Sequence, residues 1–156
     1  MSSAYRNDQQ ARQDSAAALA RLLADTYTLY LKTQGFHWNV TGPRFYELHK
    51  LFEEQYAELA GANDEIAERI RALGVKAPSS YGEFKTLASI AEEGGAPAAD
   101  EMLRQLLADH RSAVRTAETA VAAAEAGDDV GSADLATQRI RSHEKAAWML
   151  EALLAR

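Results

Sequence analysis

Apolar side chains recur along most of this chain at intervals of three, four or seven residues, the spacing that places them on one face of an α-helix. Pro43 suits a first helical position and Gly74 a C-terminal stop, so both mark helix ends. The pattern divides into four segments, and we expect one helix from each. The predicted helices are Ser15 to about Trp38, one from Pro43 to just before Gly74, one containing residues 103–124 and one containing residues 135–154.

The connection between the second and third helices, residues 74–97, is too long for an unstructured loop in a compact domain. Phe84, Leu87 and Ile90 lie within it at helical spacing. We therefore expect a short extra helix within residues 81–90, docked across the bundle or against a neighbouring subunit. A four-helix bundle with one long crossover of this kind has the ferritin-like arrangement.

The composition supports this all-α, single-domain prediction. The 156 residues include 32 Ala but only 5 Val and 4 Ile, and alanine favours helices whereas β-branched residues favour strands. We expect an N-terminal tail over residues 1–14 and the bundle over residues 15–156. No apolar run approaches the ~20 residues of a membrane span and no leader opens the chain, so we expect a cytoplasmic protein without a membrane partner.

The net charge and the absence of cysteine limit the kinds of site and ligand that we expect. With no Cys, the chain can form neither disulfides nor thiolate metal sites. A net charge of -6 attracts cations and repels nucleic acid. The sequence indicates no organic cofactor, and its acidic charge favours metal ions as ligands.

Candidate metal ligands are concentrated at the end of the first helix and along the second. His49 and Glu53 are four residues apart, as are Asp64 and Glu68, so each pair shares a helix face. The two pairs are separated by about three whole turns and point roughly the same way. His37 precedes the Gly-Pro break. Imidazole together with carboxylate suits Fe, Mn or Zn better than Ca or Mg.

Distance limits how these groups can cooperate. From His49 to Asp64 is 15 residues, which on a helix is ~22 Å, whereas metal–ligand bonds are only ~2 Å long. One chain therefore cannot bring both pairs to the same ion. Either the acidic residues are simply solvated and the histidines packed, or a second copy of the helix runs antiparallel alongside. A two-fold axis would then create two equivalent sites.

The residues around these ligands also form a long, specific motif. The run His37-Trp-Asn-Val-x-Gly-x-x-Phe-x-x-Leu-His49-x-x-Phe-x-x-x-Tyr56, followed by Asp64-x-x-Ala-Glu68-Arg-Ile-x-x-Leu-Gly74, resembles the signature of the Dps family. These are the starvation-induced, DNA-protecting mini-ferritins. The resemblance extends over nearly the whole chain, including the short helix in the long connection.

The resemblance implies a hollow shell of twelve subunits with iron sites at its two-fold interfaces. It implies that ferrous iron is oxidised there, preferably by hydrogen peroxide, and stored inside as ferric mineral. Matched by position, the iron ligands would be His37, His49 and Glu53 of one subunit with Asp64 and Glu68 of its partner. Trp38 would lie beside the di-iron site, either as an electron donor that intercepts radicals or as interface packing. Neither His49 nor His143 follows a Glu at the Glu-x-x-His spacing of an intra-bundle site, so a di-iron site within one bundle is disfavoured.

The link before the last helix carries three further carboxylates. In the family, acidic residues of this region line three-fold pores, and Asp134 is the best match, ahead of Asp128 and Asp129. Helix capping by Asp129 or Ser132 is the alternative. The remaining histidines, His110 and His143, lack such partners and are assigned to packing or to the surface. Trp148 is assigned to the core or to an interface.

The alternative functions are a nucleoid protein that compacts DNA with secondary metal binding, and a metal-free helical scaffold. DNA-binding relatives commonly use a lysine-rich tail. Here residues 1–18 contain Arg6 and Arg12 against Asp8 and Asp14, and no lysine. We therefore expect DNA binding to be weak or absent, so that nucleoid association is the less favoured location.

Overall fold

The computed structural model describes the backbone of residues 3–155 and the side chains of residues 8–155. Over these residues it contains helices and no strands, which confirms the all-α fold, the four long helices and the short helix in the long connection. The helices are α1 (Ser3–Asn39), α2 (Phe45–Ala72), α3 (Tyr81–Leu87), α4 (Ala99–Ala126) and α5 (Val130–Leu154). None of the described helices is long and apolar enough to cross a membrane.

The first helix is longer than its hydrophobic stripe indicated. It begins at Ser3 rather than Ser15, so that expected helix start is wrong. Residues 8–10 and 12–14 are exposed and therefore add nothing to the stripe, but Arg12 pairs with Asp8 at 3.3 Å, one turn away, and such pairs stabilise helices. The division into a tail of residues 1–14 and a bundle of residues 15–156 stays a prediction, and the side chain of Arg6 lies outside the described residues.

The boundaries of α2 show how glycine and proline act differently at its two ends. The prediction that Pro43 is the first helical residue is wrong, because α2 begins at Phe45. Gly42, at φ +113°, and Pro43 form a turn closed by a hydrogen bond from the Phe45 N–H to the Gly42 carbonyl. At the other end Gly74, at φ +88°, terminates the helix as predicted, and the Val75 N–H bonds back to the Ile70 carbonyl.

The short helix α3 docks on α1 of the same chain. Phe84 is buried and stacks on Tyr27, with ring centroids 4.8 Å apart, while Ile90 is buried just beyond the helix. The helix ends at Leu87, short of Ile90, because the chain turns extended at Ala88. Of the two predicted placements, the structure shows the one within the bundle.

A buried carboxyl group fixes the long connection to the bundle. Asp25 of α1 accepts hydrogen bonds from the N–H and the hydroxyl of Ser89 (both 2.7 Å), from the Ile90 N–H (3.1 Å) and from the Thr116 hydroxyl of α4 (2.7 Å). The connection beyond α3 is therefore held by one side chain that also contacts α4. Removing this side chain would leave several polar groups without a partner.

We predict that Asp25→Ala lowers the free energy of unfolding by about 3 kcal/mol, because the substitution removes a buried acceptor and all of its hydrogen bonds at once. Urea denaturation at fixed protein concentration measures the change. Asp14→Ala is the control, since Asp14 is exposed on the same helix, and it should change the value by less than about 0.5 kcal/mol. Equal effects of the two substitutions would contradict this role for Asp25.

Candidate metal centre

Two histidines interlock where α1 ends and α2 begins. His37 Nδ1 lies 2.7 Å from the carbonyl oxygen of His49, and His49 Nδ1 lies 2.8 Å from the carbonyl oxygen of His37. The two rings stack with centroids 3.9 Å apart and planes 12° apart. This reciprocal pair joins the two helix ends across the Gly42 turn.

The partners of the two Nδ1 atoms determine what the rings can bind. A carbonyl oxygen only accepts hydrogen bonds, so each neutral imidazole must carry its proton on Nδ1. Each Nε2 atom then keeps its lone pair, which is the form of histidine that binds metals. Backbone carbonyls thus hold both rings in the ligand tautomer and in a fixed orientation.

Aromatic side chains surround this histidine pair. Phe45 stacks on His49 with ring centroids 5.1 Å apart, and Tyr56 packs against His37 in a T-shaped arrangement with centroids 5.2 Å apart. His37 is buried, whereas His49 is half-buried. The packing limits the freedom of both rings, so they are already held in place before any ligand arrives.

Glu53 follows His49 by one turn of α2 and is half-buried. Its carboxylate lies 3.4 Å from the Lys50 ammonium group, and both side chains are about half exposed. Ion pairs of this kind contribute little, about 0–1 kcal/mol. The contact with Lys50 therefore does not prevent Glu53 from binding a cation.

The acidic pair Asp64 and Glu68 lies farther along α2, and both residues are exposed. Because α2 is continuous from Phe45 to Ala72, the ~22 Å separation between His49 and Asp64 holds in the structure. Among the described residues, one chain assembles no group of three or more His, Asp or Glu that could hold a metal ion. The histidines and the acidic pair are therefore not brought together within one chain.

Asp64 borders a cleft of about 590 Å³ between α1, α2 and α3, whose walls include Tyr27, Tyr30 and Phe84. Trp38 borders a different cleft of about 440 Å³ beside Leu31 and is 62% exposed. Both features lie on the outer surface of the single chain. The part that each plays in the predicted site stays a prediction.

The three acidic residues before α5 differ in their surroundings. Asp129 is the N-cap of α5: it accepts a hydrogen bond from the Ser132 N–H at 3.0 Å and pairs with Arg69 at 2.7 Å. Burial opposes its ionisation, but the bonds from Ser132 and the charge of Arg69 outweigh it and lower the pKa of Asp129. Asp128 and Asp134 are exposed. Asp129 thus has an internal role, while pore lining by the three residues stays a prediction.

A second histidine pair was not expected from the sequence. His110 of α4 and His143 of α5 are both buried, with their Nδ1 atoms 2.9 Å apart. Arg139 lies beside them and pairs with Glu58 of α2. Of the two assignments predicted for these histidines, packing is correct and surface is wrong. No spacing within one segment could have indicated the cluster, because its members come from three helices.

Trp148 is 66% exposed, so its assignment to the core of the chain is wrong and the interface assignment stays a prediction. Trp148 lies off the buried face of α5, which is formed by Ser132, Ala136, Arg139, His143 and Leu150.

Known proteins are similar to this chain in sequence and in fold. Residues 16–156 match the family described as ferritin-like domain. The chain is 37% identical over 139 residues to the DNA protection during starvation protein of Brevibacillus brevis, covering 89% of this chain and 93% of that protein. It resembles the structure of Dps from Thermosynechococcus elongatus with a TM-score of 0.91 at 28% identity, covering 96% and 95% of the two chains. The Vibrio cholerae O1 Dps protein, described as a member of a broad superfamily of ferritin-like diiron-carboxylate proteins, gives 0.90 at 33% identity, covering 94% and 92%.

The buried histidines predict how stability depends on pH. Burial, with a smaller contribution from Arg139, lowers the pKa of His110 to about 3, and burial also lowers the pKa of His143. A histidine in the unfolded chain titrates near 6.5, so between pH 6.5 and 3 these two histidines bind more protons in the unfolded chain than in the folded one. The contribution of the two neutral histidines to the free energy of unfolding is therefore fully present above pH 6.5 and is lost as the pH falls from 6.5 towards 3.

We predict that the free energy of unfolding falls by at least about 2 kcal/mol between pH 7.5 and pH 5, from His110 alone. Urea denaturation at the two pH values measures it. The His110→Asn variant should lose about 2 kcal/mol of this dependence, whatever its own stability. A wild-type protein equally stable at both pH values would show that neither histidine is held neutral.

Proposed function

Because the chain belongs to the Dps family of ferritin-like proteins, we propose that it is a ferroxidase and iron-storage mini-ferritin. It binds ferrous iron at di-iron sites between subunits, oxidises it preferably with hydrogen peroxide, and stores the ferric product inside a twelve-subunit shell. The observation that carries the proposal is the histidine pair, whose tautomers leave both Nε2 lone pairs available to a metal. The diiron-carboxylate description of the Vibrio cholerae relative supports iron as the substrate.

Two subunits share the ligands in this proposal. One provides His37, His49 and Glu53, and its two-fold partner provides Asp64 and Glu68. The exposure of both acidic residues supports this arrangement, because a second chain can reach them. An isologous contact places the same set twice, so each dimer has two sites.

The ligand set favours oxidation of bound iron. Anionic carboxylates stabilise Fe(III) more than Fe(II), while the neutral imidazoles add donors without adding charge. Two ferrous ions held together reduce peroxide in one two-electron step, 2 Fe²⁺ + H₂O₂ + 2 H⁺ → 2 Fe³⁺ + 2 H₂O. No hydroxyl radical is released in this reaction, so the same chemistry that loads the store also protects the cell from peroxide.

Two further groups have proposed roles. Trp38, next to His37 at the end of α1, is either an electron donor that intercepts radicals or part of the dimer contact, and its 62% exposure fits both. Asp134 and Asp128 line the pore through which iron enters. Asp129 lines the same pore, and its carboxylate also caps α5.

DNA compaction is the second candidate function, favoured by the names of the starvation-protein relatives. The charge of this chain opposes it. Arg12 is paired with Asp8, and the net charge of the whole chain is -6. We propose weak or absent DNA binding and a cytoplasmic location. A shift of duplex DNA at about 0.15 M salt and neutral pH would contradict this.

We predict that Asp64→Asn lowers the rate of peroxide-dependent ferrous oxidation at least ten-fold and leaves assembly unchanged, because one anionic ligand is lost. Stopped-flow absorbance of the ferric product measures the rate, and size-exclusion chromatography with light scattering measures assembly. Glu65→Gln is the matched control: it makes the same charge change at the next residue of α2, about 100° around the helix. His37→Ala should resemble Asp64→Asn. Wild-type rates in both variants would refute the site.

A further inference from the structure

A pocket of about 270 Å³ lies between α2, α4 and α5, apart from the proposed iron site. Glu53 and Gln55 are two residues apart on α2 and so project about 200° apart, which places the pocket on the opposite face of this helix. Its walls are largely apolar, and buried polar side chains also line it. The apolar lining residues include Leu51, Leu59, Ala146 and Met149, and the buried polar ones are Gln55, His110, Arg139 and His143.

The hydrogen bonds of the polar residues determine where their protons are. An arginine donates and never accepts, so His143 Nε2, 3.3 Å from Arg139 Nη2, must accept. The proton of neutral His143 is then on Nδ1, which donates to His110 Nδ1 at 2.9 Å. His110 consequently carries its own proton on Nε2. The chain of hydrogen bonds thus ends in an N–H donor that belongs to a residue lining the pocket.

Several donors around this pocket lack partners among the described residues. They are the Nε2–H of His110, the Nε–H of Arg139 and the amide of Gln55, whose oxygen is also unpaired. The three residues are 2%, 6% and 8% exposed, so the surrounding solvent reaches them little. Buried polar groups in folded proteins nearly always have a partner. Since N–H groups outnumber the one free acceptor, the missing partner must supply lone pairs.

The guanidinium group of Arg139 favours an anionic partner, although Glu58 and Glu54 balance the charges of Arg139 and Lys145. Glu58 accepts from Nη1 of Arg139 with both carboxylate oxygens, which leaves the Nε–H of the guanidinium group without a partner among the described residues. Lys145 adds a second positive charge at the exposed rim, and Glu54 opposes it there. Planar guanidinium groups bind carboxylates and phosphates especially well.

We propose that this pocket binds a small oxyanion, a short carboxylate or a phosphate, through the N–H groups of His110, Arg139 and Gln55. A short carboxylate would place its apolar part against Leu51 and Met149, whereas phosphate would use only the donors. The site is independent of iron oxidation, and its failure would leave the proposed function unaffected.

Isothermal titration of the assembled protein with sodium acetate, and separately with sodium phosphate, tests the proposal at constant ionic strength. We expect saturable binding of about one ion per chain. Gln55→Leu removes an amide without changing the volume greatly, and it should weaken binding at least ten-fold. Asn63→Leu is the matched control, a buried amide of the same helix outside this pocket, and it should leave the affinity unchanged.

A second variant keeps the test decisive if Gln55→Leu does not fold. Glu54→Gln changes an exposed residue and removes the opposing charge, so it should tighten binding about two-fold or more. Acetate binding alone would assign the pocket to carboxylates, and phosphate binding alone to inorganic oxyanions. No saturable binding of either ion, or equal affinities in wild type, Gln55→Leu and Glu54→Gln, would overturn the proposal and leave a pocket filled by water.

Discussion

One rigid helix carries four of the five proposed ligands and keeps His49 and Glu53 apart from Asp64 and Glu68. α2 is unbroken from Phe45 to Ala72, so His49 and Asp64 remain ~22 Å apart while a metal bond spans only ~2 Å. The proposed function therefore requires a second copy of the chain. The exposure of Asp64 and Glu68 is what such a copy needs, and the two-fold symmetry that completes one site completes its equivalent as well.

The two histidine pairs show how a hydrogen-bond partner decides what a histidine can bind. His37 and His49 donate to backbone carbonyls, which leaves lone pairs for a cation. His110 and His143 bond to each other beneath Arg139, which leaves an N–H group for an acceptor. Histidine thus offers lone pairs on one side of α2 and an N–H donor on the opposite side. Burial keeps the second pair neutral and makes it sensitive to acid.

Much of the fold followed from periodicity, since the four stripes and the short helix with Phe84 appear where they were predicted. The start of α1 did not follow from periodicity, because residues 8–10 and 12–14 are exposed and add nothing to the apolar stripe. The candidate ligands share one segment, where helical spacing is informative. The cluster of His110, Arg139 and Gln55 comes from three helices, and only tertiary packing brings it together. The interlocking of His37 and His49 likewise depends on the Gly42 turn, whose geometry no spacing rule supplies.

Mixed assemblies test the shared site most directly. One variant carries His37→Ala and His49→Ala, the other Asp64→Asn and Glu68→Gln, and each alone should oxidise ferrous iron at a small fraction of the wild-type rate. In a dimer of the two variants one site regains every ligand and the other keeps only Glu53. Random co-assembly should restore about a quarter of wild-type activity, because half of the dimers are mixed and each has one intact site of two. Verified mixed dimers with no recovered activity would contradict ligation across the two-fold axis.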